Sequence, residues 1–166
     1  MIVLQFVEIR VTGVADDPVL LLRELDGERV LPVWTTAVGA NAVLSALEGP
    51  LEERHPGIHD LLLDALARVD TVIEEVRIVG YADGVFDAAV VVGPDAVPAR
   101  LTDAVALALR GGGRILADEA VMDAAALGGA RAAAPGLTGA SDDQLERFRA
   151  FLDTISPDDF GPDGKP

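Results

Sequence analysis

The stretch 97–122, VPARLTDAVALALRGGGRILADEAVM, constrains the fold of this chain most strongly. Thr102 and Asp103 offer side-chain oxygens for the free N–H groups at the start of a helix, and strong helix formers follow them. The glycine triplet that begins at Gly111 ends this helix, because glycine adopts the left-handed conformation at no steric cost. Residues 114–117 are then predicted to be a buried strand. A strand, a helix and a second strand within so short a stretch indicate a sheet with helices packed on it.

Two Asp-Gly pairs, each a strong hairpin signal, divide the rest of the body into two similar parts. Asp26-Gly27 lies between strand-like segments and precedes an alanine-rich helical segment. Asp83-Gly84 also lies between strand-like segments and precedes the short strand and helix described above. Residues 41–47 and 103–109 are similar to each other. This weak repeat predicts two copies of a ββ-strand-helix unit.

The pattern predicts an α+β fold in a single compact domain, with helices packed on an antiparallel or mixed sheet. Residues 1–128 are expected to form this domain, 129–140 a linker rich in Gly, Ala and Pro, 141–155 a C-terminal helix and 156–166 a flexible acidic tail. The apolar stripe of the C-terminal helix comprises Leu145, Phe148, Phe151, Leu152 and Ile155.

Charge and composition limit the function. The chain has 166 residues, a net charge of −15 and no cysteine, which excludes disulfides, thiolate catalysis and cysteine-bound zinc. Lys165 is its only lysine, so a basic surface for nucleic acid would depend on arginine. No apolar run is long enough to span a membrane and no signal peptide is evident, so we expect a cytoplasmic protein that makes no membrane contact. Most of the acidic residues are expected to serve solubility.

Arg100 and Asp103 are the first candidate site residues, at the junction of the short strand and the helix. An arginine there can meet a phosphate together with the N–H groups of the helix start. Asp103 can bind a divalent metal or orient a water molecule. The alternative is structural, with Thr102 or Asp103 capping the helix and Arg100 pairing with a neighbour.

His59 and Asp60 form a second candidate pair, at the start of a predicted helix over 58–69. Histidine can act as a general acid or base near neutral pH, and an adjacent carboxylate can hold a metal. The alternative is that Asp60 caps the helix and His59 is partly buried. His55 lies four residues before His59, but Pro56-Gly57 between them disfavours a shared metal site on one helix.

Three further features are expected to be structural or to exclude a function. Glu8 and Arg10, on the apolar first strand, are expected to form an ordinary solvent-facing pair. Trp34, the only tryptophan, is expected to anchor the core rather than stack on a base. The glycine triplet follows a helix instead of preceding one, which excludes a Walker-type phosphate loop.

Five segments along the chain resemble, in the same order, the bifunctional nuclease (DNase/RNase) domain family, and the last of them resembles its actinobacterial members. Leu31-Pro32-Val33-Trp34 is similar to the family's Leu-Pro-Ile-Trp. Residues 99–108 are similar to its Ala-Arg-Pro-Ser-Asp-Ala-Ile-Ala-Leu-Ala. The other three segments are 59–62, 83–86 and 146–152.

The resemblance implies a nuclease that hydrolyses DNA and RNA phosphodiesters with a divalent metal, Mg²⁺ or Mn²⁺. Asp60, Asp103 and Glu8 would be the metal ligands, His59 would serve the leaving oxygen, and Arg100 would bind the phosphate. Two other classes stay open. One is a non-catalytic member that binds a partner or nucleic acid, and the other is a regulator that binds a small molecule.

The chain departs from the family pattern at positions beside this site. Gly39 stands where the family has a glutamate, residues 55–58 replace Arg-Pro-Leu-Thr, and Leu101-Thr102 replaces Pro-Ser. A lost carboxylate removes both charge and a ligand, so weak, metal-dependent cleavage at best is expected. Any binding of nucleic acid by so acidic a chain should be strongly salt-sensitive.

Two expectations concern the assembled molecule. His59, Asp60, Arg100 and Asp103 should converge on one cleft, because polar residues at helix starts gather where strand ends meet. The first strand and the valine-rich strand at 90–92 carry more apolar surface than one small domain easily covers. A homodimer is therefore expected, buried through an apolar sheet or helix face.

Overall fold

A computed structural model describes residues 1–11, 17–48 and 56–127 of the chain. Its elements, in chain order, are β1 (Ile2–Arg10), β2 (Val19–Glu24), β3 (Val30–Trp34), α1 (Ala37–Glu48), α2 (Ile58–Ala67), β4 (Ile73–Ala82), β5 (Val85–Val92), β6 (Asp95–Ala99), α3 (Leu101–Gly111), β7 (Arg114–Ala117) and α4 (Glu119–Ala125). The linker, C-terminal helix and tail expected over 129–166 lie outside the described residues, as does His55.

The strands form one seven-stranded sheet in the order β3-β2-β1-β7-β4-β5-β6. Strands β1, β2 and β3 form an antiparallel meander that leads into α1, and β4, β5 and β6 form another that leads into α3. Strand β7 lies between the two meanders, antiparallel to β1 and parallel to β4. The predicted α+β class, the mixed sheet and the two related halves are therefore confirmed.

The hydrophobic core lies between the helices and one face of the sheet. Leu20, Leu22 and Ile78 are completely buried on this face, and Val43 of α1 and Val105 of α3 pack into the same core. Burial of one such side chain stabilises the fold by ~1.5–3 kcal/mol. Helices α1 and α3 also pack against each other, so the core fixes the positions at which both helices begin.

The residues that follow the two edge strands of the sheet meet at one cleft. Neighbouring strands rotate by ~20–25° relative to each other, and the whole width of the sheet separates β3 from β6. The residues that follow these strands, Thr35 and Arg100, line one cleft although the strands lie at opposite edges. Helices α1 and α3 follow these two edge strands and pack against each other, so their starts share the cleft.

Helix α3 ends as the glycines predict but begins differently. Gly112 is its C-cap, in the left-handed conformation with a φ of 73°. Its N-cap is Arg100, so the expectation that Thr102 or Asp103 caps this helix is wrong. The helix begins earlier because Leu101 is buried in the core, which draws the first turn inward. Asp103 thereby becomes free to bind other side chains.

Two expectations about apolar residues are also wrong. Trp34 is 40% exposed and does not anchor the core, because Leu31 and Val33 occupy the buried positions of β3. Val90 and Val91 are only 5% and 9% exposed, so the domain itself covers the valine-rich strand.

Candidate functional site

A cleft of about 270 Å³ lies where the starts of α1 and α3 meet. It is lined by Trp34, Thr35, Thr36, Val38, Gly39, Arg100, Thr102 and Asp103. Both helices direct their N-terminal ends at this cleft. The first N–H groups of a helix have no partner within the helix and carry its partial positive charge, so the cleft is suited to an anion.

The start of α1 is held by Thr36. Its hydroxyl accepts a hydrogen bond from the Gly39 N–H at 3.2 Å, and its carbonyl accepts the first helical bond from Ala40 at 2.9 Å. The N–H groups of Ala37 and Val38 have no acceptor within the helix. They are therefore available to a group bound in the cleft.

Asp103 is the carboxylate of the cleft, and two side chains hold it in place. His59, from α2, lies with its Nε2 3.3 Å from Asp103 Oδ1, and Arg100 donates from Nε to Oδ2 at 2.7 Å. Because an ionised carboxylate only accepts hydrogen bonds, the Nε2 of His59 is the donor of this bond. The side chain of Arg100 is 80% exposed, so its terminal nitrogens reach solvent at the mouth of the cleft.

Thr102 and Gly39 face each other across the floor of the cleft. Thr102 is 9% exposed, its hydroxyl opens on the cleft, and no other described residue binds that hydroxyl. A Cβ added at Gly39 would lie 2.3 Å from Thr35 Oγ1, 3.0 Å from Thr102 Oγ1 and 3.1 Å from Thr102 Cγ2. The two threonines therefore occupy the space into which a glutamate at position 39 would project.

Asp60 is bound by an arginine from α3. Arg110 donates from Nε to Asp60 Oδ1 at 2.5 Å and from Nη2 to Oδ2 at 3.1 Å, a bidentate pair. Arg110 also donates to the carbonyl of Ala46 in α1 at 3.4 Å. The hydrogen bond from Arg110 is the main cause that lowers the pKa of Asp60, and the same bond raises the pKa of Arg110. This clamp ties α2 to α1 and α3.

The clamp gives the fold a dependence on pH. The pKa of Asp60 is lowered from its usual 3.8, so the clamp stabilises the folded chain above that pH and is lost as the pH falls through the lowered value. Asp60→Asn should lower the Tm at pH 7 by roughly 2–4 °C. The difference in Tm between Asp60→Asn and the wild type should disappear in acid, where the carboxylate of Asp60 is protonated. Thermal unfolding between pH 7 and pH 3, with Asp64→Asn on the same helix as a charge-matched control, measures this. A difference that grows as the pH falls would contradict it.

The structure brings three of the candidate residues together and places the other two elsewhere. Arg100, Asp103 and His59 form one contiguous group at the cleft. Asp60 neighbours His59 in sequence, but its carboxylate is bound to Arg110. Glu8 pairs with Arg10, as expected, and lies opposite Leu21 on the face of the sheet that the core does not use.

The described side chains do not form a ready-made cluster of metal ligands. Within the described residues no group of three or more His, Asp or Glu side chains is arranged to hold an ion. Asp103 and Asp60 are each neutralised by a guanidinium group, and Gly39 supplies no carboxylate. A site made only of protein ligands would need several free oxygens, which this part of the chain does not gather, whereas Mg²⁺ is more often held by one or two carboxylates together with phosphate oxygens.

Some residues of the site were missed by the sequence argument. Arg110 appears in the sequence only as a cation in the last turn of a helix, and its partner lies 50 residues away. Thr35 and Thr36 follow the strand at β3 with no distinctive motif. A threonine just before a helical segment is a preferred capping residue, and that signal could have identified Thr36.

Comparison with known proteins identifies the family of the chain. The sequence matches the bifunctional nuclease domain over residues 20–128, which spans β2 to the end of the described chain. The matched region contains every residue that lines the cleft. The chain belongs to the bifunctional nuclease domain family.

The relatives place the chain among actinobacterial members. It is 39% identical over 160 residues to the uncharacterized protein Rv1829 of Mycobacterium tuberculosis strain H37Rv, a match that covers 92% of this chain and 97% of the relative. The uncharacterized protein MT1877 of strain CDC 1551 matches to the same extent. Among the described residues, every helix is too short or too polar to cross a membrane.

Proposed function

We propose that this protein binds the phosphate backbone of nucleic acid in the cleft between α1 and α3 and hydrolyses it weakly. One observation carries the proposal. Two helix starts and Arg100 direct positive charge into a single cleft, beside one oriented carboxylate, Asp103. Membership of the bifunctional nuclease domain family supports a nuclease-like role.

The local charge of the cleft explains why it would bind a phosphate although the net charge of the chain is −15. Asp103 is balanced by Arg100, so the partial charges of the two helix ends remain uncompensated. The hydroxyl of Thr102 adds a hydrogen-bond donor at the floor. A phosphate would therefore meet a cation, helix N–H groups and a hydroxyl. The other acidic residues would repel the rest of the strand, so binding would weaken steeply with salt.

The chemistry proposed for the cleft is attack by water on a bound phosphodiester. Each oxygen of Asp103 already accepts one hydrogen bond and has a second lone pair for a water molecule. Asp103 would take a proton as the water oxygen bonds to phosphorus and the bond to the leaving oxygen breaks. His59 would orient Asp103 and, in its protonated form, would give the proton on Nδ1 to the leaving oxygen through a water molecule. The proton taken by Asp103 would then pass to solvent, and His59 would take a proton back from solvent.

The family resemblance also proposes Mg²⁺ or Mn²⁺ as cofactor, with Asp60, Asp103 and Glu8 as ligands. The arginine partners of all three carboxylates argue against that set, so no step above depends on a metal. The single carboxylate in the cleft is also the reason for proposing slow cleavage. An alternative function, nucleic-acid binding without cleavage, is favoured by the same observation.

The test is cleavage of plasmid DNA and of RNA by the purified protein, with Mg²⁺, with Mn²⁺ and with chelator. We expect slow cleavage that Asp103→Asn reduces to background, because the amide cannot take a proton from water. Asp118→Asn, which changes the N-cap of α4 outside the cleft, should cleave like wild type. Cleavage retained by Asp103→Asn would show that the cleft is not the active site. Binding without cleavage under every condition would favour the non-catalytic alternative.

A homodimer formed through α2 is proposed for the intact protein. Helix α2 buries no residue completely, and Ile58, Leu61 and Leu62 are 72%, 52% and 42% exposed. A second copy related by a two-fold axis would cover this stripe with its own. Light scattering at micromolar concentration should give twice the mass of one chain, and Leu61→Glu should give a monomer. A monomeric wild type would refute the dimer, and Arg68→Glu, at the C-cap of the same helix, is the control.

We also propose that the protein is cytoplasmic, as the sequence predicts. Fractionation of cells that express the tagged protein tests it directly.

A further inference from the structure

Trp34, at the end of β3, has a large aromatic side chain that the core does not use. Leu31 and Val33 belong to the core, and because side chains alternate along a strand, Trp34 is turned away from it. At this end of the strand Trp34 lines the cleft and is 40% exposed. Val38, in the first turn of α1, lines the same cleft and is 75% exposed. Two large apolar residues therefore remain in contact with water at the cleft.

The cleft combines a polar side with a partly apolar one. Arg100, Thr102 and Asp103, from the start of α3, form the polar side. Trp34 and Val38 supply the apolar surface, on the side of β3 and α1. Helix N–H groups and a cation are enough to bind a phosphate, so the apolar residues have no role in binding a phosphate alone. A nucleotide matches both sides, because it joins a charged phosphate to a flat base whose face can stack on an aromatic ring.

We propose that Trp34 stacks on an unpaired base of the nucleic acid whose phosphate lies between α1 and α3. Aromatic side chains bind single strands in this way, and they tolerate any sequence because every base has a face that can stack. The inference rests on the proposed function, since the bound phosphate positions the strand. It adds the substrate class, which is single-stranded DNA or RNA, or an unpaired part of a folded strand.

The size of the cleft and the stacking of bases in a duplex both favour a single strand. At about 270 Å³ the cleft is near the lower end of ligand pockets, ~300 Å³, so it has room for about one nucleotide. In a duplex both faces of a base are covered by its neighbours, and the base must leave the stack before an aromatic side chain can reach it. The free-energy cost of that step is smallest for a base that is already unpaired.

The contact can be measured directly because Trp34 is the only tryptophan of the chain. Tryptophan fluorescence therefore reports on this residue alone, and a base stacked on the indole ring should quench it. The probes are a single-stranded oligothymidylate, a strand of the same length made of abasic residues, and the duplex of the oligothymidylate with its complement. Anisotropy of labelled probes gives the Kd of each, and unlabelled probes give the quenching, with chelator present throughout.

We expect the oligothymidylate to quench the fluorescence and to bind roughly 5- to 100-fold more tightly than the abasic strand. The abasic strand and the duplex should bind without quenching. Trp34→Ala should lower the affinity for the oligothymidylate to that for the abasic strand and leave the affinity for the abasic strand unchanged, which also shows that the variant is folded. Trp34→Phe keeps an aromatic face and should retain most of the difference. Leu25→Ala, which removes an exposed apolar side chain outside the cleft, should change neither affinity.

The outcomes separate the stacking contact from the phosphate contact. Equal affinities of the wild type for the oligothymidylate and the abasic strand, or oligothymidylate binding that Trp34→Ala leaves unchanged, would overturn the stacking contact. If Arg100→Ala still weakens the binding of both strands in that case, the phosphate site stands without it. If the wild type binds neither strand, the proposed function fails and the stacking contact fails with it.

Discussion

Gly39→Glu, which restores the family's glutamate, is expected to destabilise the protein instead of activating it. The new Cβ would meet Thr35 Oγ1 and both outer atoms of Thr102 at 3.1 Å or less. Overpacking of this kind costs about 1–3 kcal/mol. A carboxylate in the first turn of a helix stabilises the helix by only about 0.3–1 kcal/mol, through the helix dipole. The clash is the larger effect, so the Tm should fall.

Thr102→Ser is expected to recover much of that loss. Thr35 can rotate its hydroxyl away, which leaves the new Cβ against Thr102, with Oγ1 at 3.0 Å and the methyl group Cγ2 at 3.1 Å. Serine, the family's residue at this position, lacks that methyl group. The free energies of unfolding of Gly39→Glu, Thr102→Ser and the double variant form a double-mutant cycle. Gly39→Ala separates the effect of the Cβ from that of the carboxylate. Additive losses would show that the two departures from the family pattern are independent.

The turns and the helix end could be predicted because they depend on the backbone conformation of a few neighbouring residues. At the second hairpin Asp83 and Gly84 have φ values of 51° and 82°, the left-handed conformations that an Asp-Gly turn favours. Gly112 ends α3 in the same conformation. These residues act on their immediate neighbours, so the sequence alone determines the turns, and the repeat of the two halves follows from the order of the turns.

The contacts of the site could not be predicted in the same way. His59 and Asp103 are 44 residues apart, and Asp60 and Arg110 are 50 apart. Which of the two adjacent residues His59 and Asp60 turns toward the cleft depends on the angle at which α2 crosses α3. That angle is set by packing of the whole helix layer. The side to which Trp34 points depends likewise on where β3 ends relative to α1.

Arg100→Ala is expected to cause the largest loss of nucleic-acid affinity among single arginine changes. Arg100 uses Nε for Asp103 and presents its other nitrogens at the mouth of the cleft. A hydrogen bond to a charged group contributes about 1.5–3 kcal/mol, which corresponds to a roughly 10- to 100-fold change in Kd. Loss of one phosphate contact should also reduce the slope of log K against log salt by about 1. The effect should be similar for DNA and RNA, because the phosphate is common to both.

The central claim, that the cleft between α1 and α3 receives a phosphate, is tested most directly by fluorescence anisotropy of a labelled single-stranded oligonucleotide at several salt concentrations, with chelator present. We expect salt-sensitive binding by the wild type, weakened roughly 10- to 100-fold in Arg100→Ala and unchanged in Arg68→Ala, which changes an exposed arginine outside the cleft. Equal affinities for wild type and Arg100→Ala, or binding that chelator abolishes, would contradict it.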